Sequence, residues 1–268
     1  MTPDSGAPLQ LLAGQHLRDL ASALGVERDI LFVPSGHGLP AAFDFKRRGL
    51  LQGFASLLKL RASLRGLPRG CRLIFDEVLW RQNFIAAPYA RAALLGAPNV
   101  YIAFTETLRL LGFDIPQVPA ASLPMPRQPL QGLARLFPSS RNEDKCIPAA
   151  VTARLVDQLS QAGMSCEVIE LAGEGVKLPA GLPVRHLERN FGSLIEAVSG
   201  SDLVVTADSL PGHLAEYFGL PAYVISPRPN AYWLPLSCFV DNAWSLFHDE
   251  QSLPKWLSER TGPGCGAR

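Results

Sequence analysis

The chain has 268 residues, 47% of them hydrophobic and 18% charged, with a net charge of +1. That apolar fraction excludes a disordered chain, and no run approaches the ~18 uncharged apolar residues of a membrane-spanning helix. The near-neutrality conceals an asymmetry, because residues 1–128 carry +5 and residues 129–268 carry −4.

Along the chain, apolar runs alternate with longer amphipathic stretches. Ile30–Pro34, Arg72–Asp76 and Val100–Phe104 have the composition of buried strands, and Leu50–Leu64 and Phe84–Leu95 have helical spacing. The pattern stops at Pro116–Pro129, where five prolines in 14 residues can continue neither a helix nor a central strand. It restarts with a strand at Leu133–Phe137, a helix at Ala149–Ala162, a strand at Ser165–Leu171 and a helix at Phe191–Val198. A strand at Leu203–Thr206, a helix at Gly212–Phe218 and a strand at Ala222–Ser226 follow. Strand–helix alternation with fully apolar strands predicts an α/β fold with helices on both faces of parallel sheets. A prior of about 150 residues per domain allows one large domain or two small ones. The proline-rich stretch divides the latter into a lobe at 1–115, a linker at 116–130, a second lobe at 131–252 and a tail at 253–268.

Cys71, Cys146, Cys166, Cys238 and Cys265 are odd in number, scattered and without a CxxC pair. This excludes a disulfide framework and a standard zinc site, and a reducing cytoplasm is expected. The first residues, MTPDSGAP, lack the basic and apolar regions of a secretory signal. Arginine outnumbers lysine 20 to 5, which suits either a GC-rich genome or the gripping of phosphates.

The most informative segment runs from Ser201 to Ile225. A strand ends in Ala207-Asp208-Ser209 and a helix begins near Pro211, with Pro in the first turn and Asp or Ser before it. At the carboxyl end of a parallel strand, such a turn lies where α/β folds bind ligands, and its positive helix end suits a diphosphate. Capping of the helix by Asp208 or Ser209 is an equal alternative.

Asp208-Ser209-Leu210-Pro211-Gly212-His213-Leu214-Ala215, followed by Gly219-Leu220-Pro221, resembles the D-[TS]-G-P-x-H-x-A…G-x-P signature of glycosyltransferase family 9, which includes the ADP-heptose:lipopolysaccharide heptosyltransferases. Phe137-Pro138-Ser139-Ser140-Arg141 with Lys145 and Pro148 is similar to the stretch that opens the donor domain of that family. Asn190-Phe191-Gly192-Ser193-Leu194 matches its G-x-[ST]-L element, and Ser226-Pro227 with Tyr232-Trp233-Leu234-Pro235 matches its last loop. The four elements stand in family order across residues 133–236. The resemblance implies two Rossmann-like lobes in the GT-B arrangement and an inverting glycosyl transfer that uses neither a metal nor a cofactor. It implies a nucleotide-diphosphate sugar, heptose-like, as donor and a lipopolysaccharide or other surface glycan as acceptor. Asp208 then meets the donor sugar; Ser209, Gly212, Ser139, Ser140 and Lys145 meet the diphosphate. His213 fills the signature histidine position and is placed on the donor side by the resemblance, although a histidine taken alone is more often structural than catalytic. Two positions depart from the pattern: Leu210 replaces the signature glycine, and Ile147 replaces an aromatic.

The amino-terminal half matches less. Arg72–Asp76 with Glu77, then Ala90–Ala97, resembles a strand–Asp…LLG-A segment. The Gly-Asp loop that carries the family's favoured base is not found, and the first strand is expected to be short or missing. Asp76 is the first candidate base and His37, in Ser35-Gly36-His37-Gly38, the second. Pairing of Asp76 and Glu77 with Arg72 or Arg81 is the alternative. A glycosyltransferase-like binding protein that has lost its base is the rival to an enzyme. Residues 46–72 hold eight basic residues and no acid. Leu50, Phe54, Leu57, Leu58 and Leu64 are expected to form one buried stripe, leaving Lys59, Arg61 and Arg65 to attract an anionic glycolipid or membrane surface; a solubilising face is the alternative. Nucleic acid is not expected as a partner, because no aromatic platform accompanies the charge.

Overall fold

The computed structural model describes residues 11–33, 49–67, 70–75, 78–114, 130, 132–173 and 178–261. The chain divides into two compact units. The first comprises the described residues of Met1–Gly96 with Glu106–Asp114, and the second those of Ala97–Thr105 with Ile115–Arg268.

In the first unit, strand β1 (Leu11–Gly14) pairs in parallel with β2 (Ile30–Val33), with helix α1 (Arg18–Ala23) between them in sequence. The expected short first strand is therefore present, four residues long. It runs directly into a 3₁₀ turn at Gln15–Leu17, and the next acid along the chain, Asp19, is exposed in the first turn of α1. Helix α2 (Leu50–Leu64) matches its expected bounds, and a second parallel pair follows, β3 (Arg72–Phe75) and β4 (Ala90–Ala93), joined through helix α3 (Trp80–Ala86). The expected helix over Phe84–Leu95 ends early because Pro88 has no N–H to continue it.

The expected stripe on α2 is also corrected. Leu57, Leu60 and Leu64 are buried and pack with Ile85 and Tyr89, while the Tyr89 hydroxyl lies 2.6 Å from the Leu64 carbonyl oxygen. Leu50, Leu51, Phe54 and Leu58 are instead exposed, at 68, 88, 45 and 56%. The helix is thus apolar on two faces.

Helix α4 (Val100–Leu110) stands where Val100–Phe104 predicts a strand. Its β-branched and aromatic residues favour a strand locally, but Asn99 overrides this by accepting a 3.0 Å bond from the Tyr101 N–H, as a helix cap does. Asn99 is fully buried and donates to the carbonyls of Leu234 (2.9 Å) and Ala231 (3.3 Å). The first half of α4 accordingly groups with the second unit.

That unit is built on six parallel strands in the order β10-β9-β8-β5-β6-β7. They are β5 (Leu133–Phe137), β6 (Ser165–Leu171), β7 (Val184–Leu187), β8 (Leu203–Ala207), β9 (Ala222–Ser226) and β10 (Trp244–Leu246). Helices α5 (Ala149–Gln161), α6 (Phe191–Ser199), α7 (Leu210–Phe218), α8 (Leu236–Val240) and α9 (Ser252–Thr261) accompany them. Every residue of β8 and β9 is buried, as expected of a sheet covered on both sides. Arg135 is buried on β5, where Nε donates to Glu167 at 2.8 Å and Nη1 to the Ala197 carbonyl at 2.8 Å. The segment expected to be a tail contributes helix α9 instead, with Leu253, Trp256 and Leu257 buried; residues 262–268 lie outside the described residues.

Candidate functional site

Counting from β5, the sheet order is the doubly wound 3-2-1-4-5-6 arrangement, with its topological switch between β5 and β8. Ligands bind such sheets in the crevice beyond the carboxyl ends of the strands at that switch. The loop leaving β5 carries Ser139, Ser140 and Lys145, the turn leaving β8 carries Asp208 and Ser209, and the first turn of α7 that follows it carries Gly212 and His213.

After β5, Pro138 accepts a 2.8 Å bond from the Ile147 N–H, which closes the loop on itself. Inside it, the Ser140 N–H faces the Cys146 Sγ at 3.3 Å, and a 3₁₀ turn at Glu143–Lys145 presents the lysine. The Lys145 ammonium donates to Asp208 Oδ2 at 2.7 Å, joining the two loops across 63 residues of sequence. Asp208 is 6% exposed, and the same oxygen accepts from Asn230 Nδ2 at 3.1 Å. Lys145 keeps about a third of its side chain exposed. It has three donors, so two remain for an incoming anion.

Neither Asp208 nor Ser209 caps helix α7. Ser209 occupies the N-cap position without a side-chain cap bond. Its hydroxyl lies 3.3 Å from the Ser139 carbonyl and 3.2 Å from that of Ala207. The helix therefore presents an uncapped positive end to the switch point, where an anion is favoured. The buried Ser139 Oγ has no hydrogen-bond partner among the described residues. Gly212 has a separate packing reason: a Cβ there would stand 3.2 Å from Thr206 Cγ2 and 3.3 Å from Pro235 Cγ. Gly219 ends the helix with φ +66, a left-handed cap that glycine adopts without strain.

His213 lies one turn into α7. Burial lowers its pKa from the ordinary 6.5, against the raising influence of Asp208 and Glu216 and with a further lowering by Lys145. Its Nδ1 is 2.8 Å from the Tyr101 hydroxyl, with ring centroids 6.0 Å apart and nearly parallel. Tyr101 is pushed up to about 12, chiefly by burial and then by Glu216, so its phenol keeps its proton. Glu216 in turn accepts from the Ser237 N–H at 2.9 Å and from the Ser237 hydroxyl.

Asn230, Asn99 and Tyr101 join this network without a sequence signal of their own beyond Asn230 standing two residues before the Tyr232–Pro235 element. The Asn190 element has a local role, since its side chain caps α6 by accepting from the Ser193 N–H at 2.7 Å. The candidate bases Asp76 and His37 lie outside the described residues.

Among solved structures, the chain resembles E. coli heptosyltransferase WaaC with ADP-2-deoxy-2-fluoro heptose at 14% identity. The TM-score is 0.54, covering 94% of this chain and 99% of that one. WaaC with ADP gives 14% identity, a TM-score of 0.51 and coverage of 94% and 100%. A glycosyl transferase family 9 protein from Veillonella parvula gives 12%, 0.52 and coverage of 96% and 91%. The chain has the fold of these glycosyltransferases. No family model and no curated protein sequence matches it, so at this identity the likeness establishes the GT-B architecture alone. Within that architecture, two of the four sequence elements, Phe137–Pro148 and Asp208–Pro221, meet through the Lys145–Asp208 contact. No described helix is long and apolar enough to cross a membrane.

Proposed function

We propose that the protein is a glycosyltransferase that holds a nucleotide-diphosphate sugar at the β5–β8 crevice. The reading rests on one observation above all, the Lys145–Asp208 ion pair that joins the two loops beside an uncapped helix end. Lys145, Ser139, Ser140, Ser209 and the start of α7 at Gly212 and His213 meet the diphosphate, and Asp208 meets the donor sugar. A base, Asp76 or else His37, removes the proton from an acceptor hydroxyl. That oxygen attacks the anomeric carbon from the far side, and the anomeric bond to the diphosphate breaks. The Lys145 charge and the helix dipole stabilise the negative charge on the departing diphosphate, so the displacement inverts the sugar and requires no metal. A heptose-like sugar and a lipopolysaccharide or other surface-glycan acceptor fit the resemblance of the signature elements.

Titration of the protein with ADP, followed by turnover with a panel of nucleotide sugars, tests this reading. Saturable ADP binding with consumption of one donor is expected, and the absence of both refutes it. The rival binding-protein reading rests on the sequence, in which the Gly-Asp loop is not found and Leu210 replaces the signature glycine. Tight ADP binding with no donor consumed alongside any acceptor selects that rival.

The protein is further proposed to work in the cytoplasm, in peripheral contact with the inner membrane through 46–72. Leu50, Leu51 and Leu58 on the exposed face of α2, with Lys59 and Arg65 also exposed, combine apolar area with positive charge. Co-sedimentation with anionic phosphatidylglycerol vesicles is expected to fall about tenfold in Leu51→Glu. Equal binding by the variant, or no preference over neutral vesicles, rejects the contact.

A further inference from the structure

His213 has two ring nitrogens, and only the hydrogen bond at one of them determines which carries the proton. Nδ1 is engaged by Tyr101 at 2.8 Å. If Nδ1–H donated to the phenol oxygen, the Tyr101 O–H would need another acceptor, and among the described residues no second contact of that hydroxyl is found. Tyr101 is half-buried. A phenol is a stronger donor than a neutral imidazole N–H, and an imidazole nitrogen is a stronger acceptor than a phenol oxygen, which favours the arrangement in which the phenol donates and Nδ1 accepts. The proton then sits on Nε2. Asp208, Glu216 and Lys145 are the charged groups that act on the ring, and Tyr101 is the titratable group in direct contact with it.

Tyr101 is itself held in place. Its N–H is bonded by Asn99, and the fully buried Asn99 is fastened to the Ala231 and Leu234 carbonyls, in the loop that follows Asn230. Asn230 meets Asp208. The start of α4 is thereby tied to the loop next to Asn230, one of the two residues that hold the carboxylate.

We propose that Tyr101 is a positioning residue that holds His213 as the neutral Nε2–H tautomer, making it a hydrogen-bond donor to the phosphates of the nucleotide. A neutral donor adds directional hydrogen bonding beside Lys145 without a second buried positive charge. This inference rests on the proposed diphosphate site, but its tautomer component stands apart from that reading.

Long-range ¹H–¹⁵N correlation spectra of histidine-labelled protein, with His213→Gln to identify the signal, report the tautomer directly. At pH 8 the wild type is expected to show Nε2–H, and Tyr101→Phe a mixture with Nδ1–H. ADP affinity should fall about two- to tenfold in Tyr101→Phe, the range of one neutral hydrogen bond. It should fall no further when Tyr101→Phe is added to His213→Gln. An Nδ1–H signal in the wild type overturns the inference, as does an unchanged tautomer in Tyr101→Phe. Additive losses in the double variant overturn the link to binding, because a merely structural tyrosine would act independently of His213. If the wild type shows Nε2–H but binds no ADP, the proposed nucleotide site fails, and the phosphate-donor role assigned to His213 fails with it.

Discussion

The two units solve the same problem with different amounts of material. The second commits six parallel strands to one sheet, with β8 and β9 buried along their whole length. Among its described residues the first has two separate two-stranded sheets of four-residue strands, and no residue of β3 is fully buried. A parallel pair cannot hide both faces by itself, so the first unit depends on helices such as α2 for its core. A continuous sheet fixes the ends of its strands to within a residue, and those ends carry the polar network. The site is precise where the sheet is widest.

Truncating one leucine in each unit gives the sharpest contrast. Leu136→Ala removes a fully buried side chain from β5 and is expected to cost about 2–5 kcal/mol. Leu73→Ala, on the half-buried β3, is expected to cost less than about 2 kcal/mol. Equal losses in chemical denaturation would break the comparison.

A smaller effect is expected from Lys145→Ala, which leaves the Asp208 carboxylate buried with Asn230 as its remaining partner. A charged hydrogen bond is worth about 1.5–3 kcal/mol, reduced here because Lys145 is about a third exposed. ADP affinity should fall about 10–100-fold while the melting temperature drops by a few degrees. An unchanged affinity in calorimetric titration would remove Lys145 from the site.

The smallest effect concerns acid. Burial depresses the His213 pKa below 6.5, so the folded protein binds fewer protons there than the unfolded chain. The associated stability is complete above about pH 6.5 and is lost as pH falls through the depressed value. His213→Gln should flatten the stability–pH profile in that window; a profile identical to that of the wild type would contradict the burial argument.

Legibility from sequence does not follow the division into units: β2 and β3 of the first unit also match their expected bounds to within a residue. Strands β5, β8 and β9 are legible to within a residue because each is a short, mainly apolar run bounded by turn residues, and β6 because Cys166, Val168, Ile169 and Leu171 stand among its two glutamates. Strand β7, with Arg185 and His186 at its centre, and the three-residue β10 carry no such signal. Val100–Phe104 misleads because its β-rich composition is overruled by a buried asparagine 132 residues away from its carbonyl partner Ala231. Lys145 and Asp208 were found through the family resemblance, and nothing local predicts that they touch. Tyr101 and Asn230 enter the site only through folding, and no spacing rule reaches them.

The placement of Asn99 and Tyr101 has a consequence for how the gene can be cut. The proline-rich stretch looks like the natural seam, yet a graft or excised half starting at Ile115 would leave both residues behind. The Ala231 and Leu234 carbonyls would lose their donor and His213 its phenol. A chimera that exchanges the second unit between relatives should therefore cross over before Ala97 and carry Ala97–Thr105 with the sheet it serves.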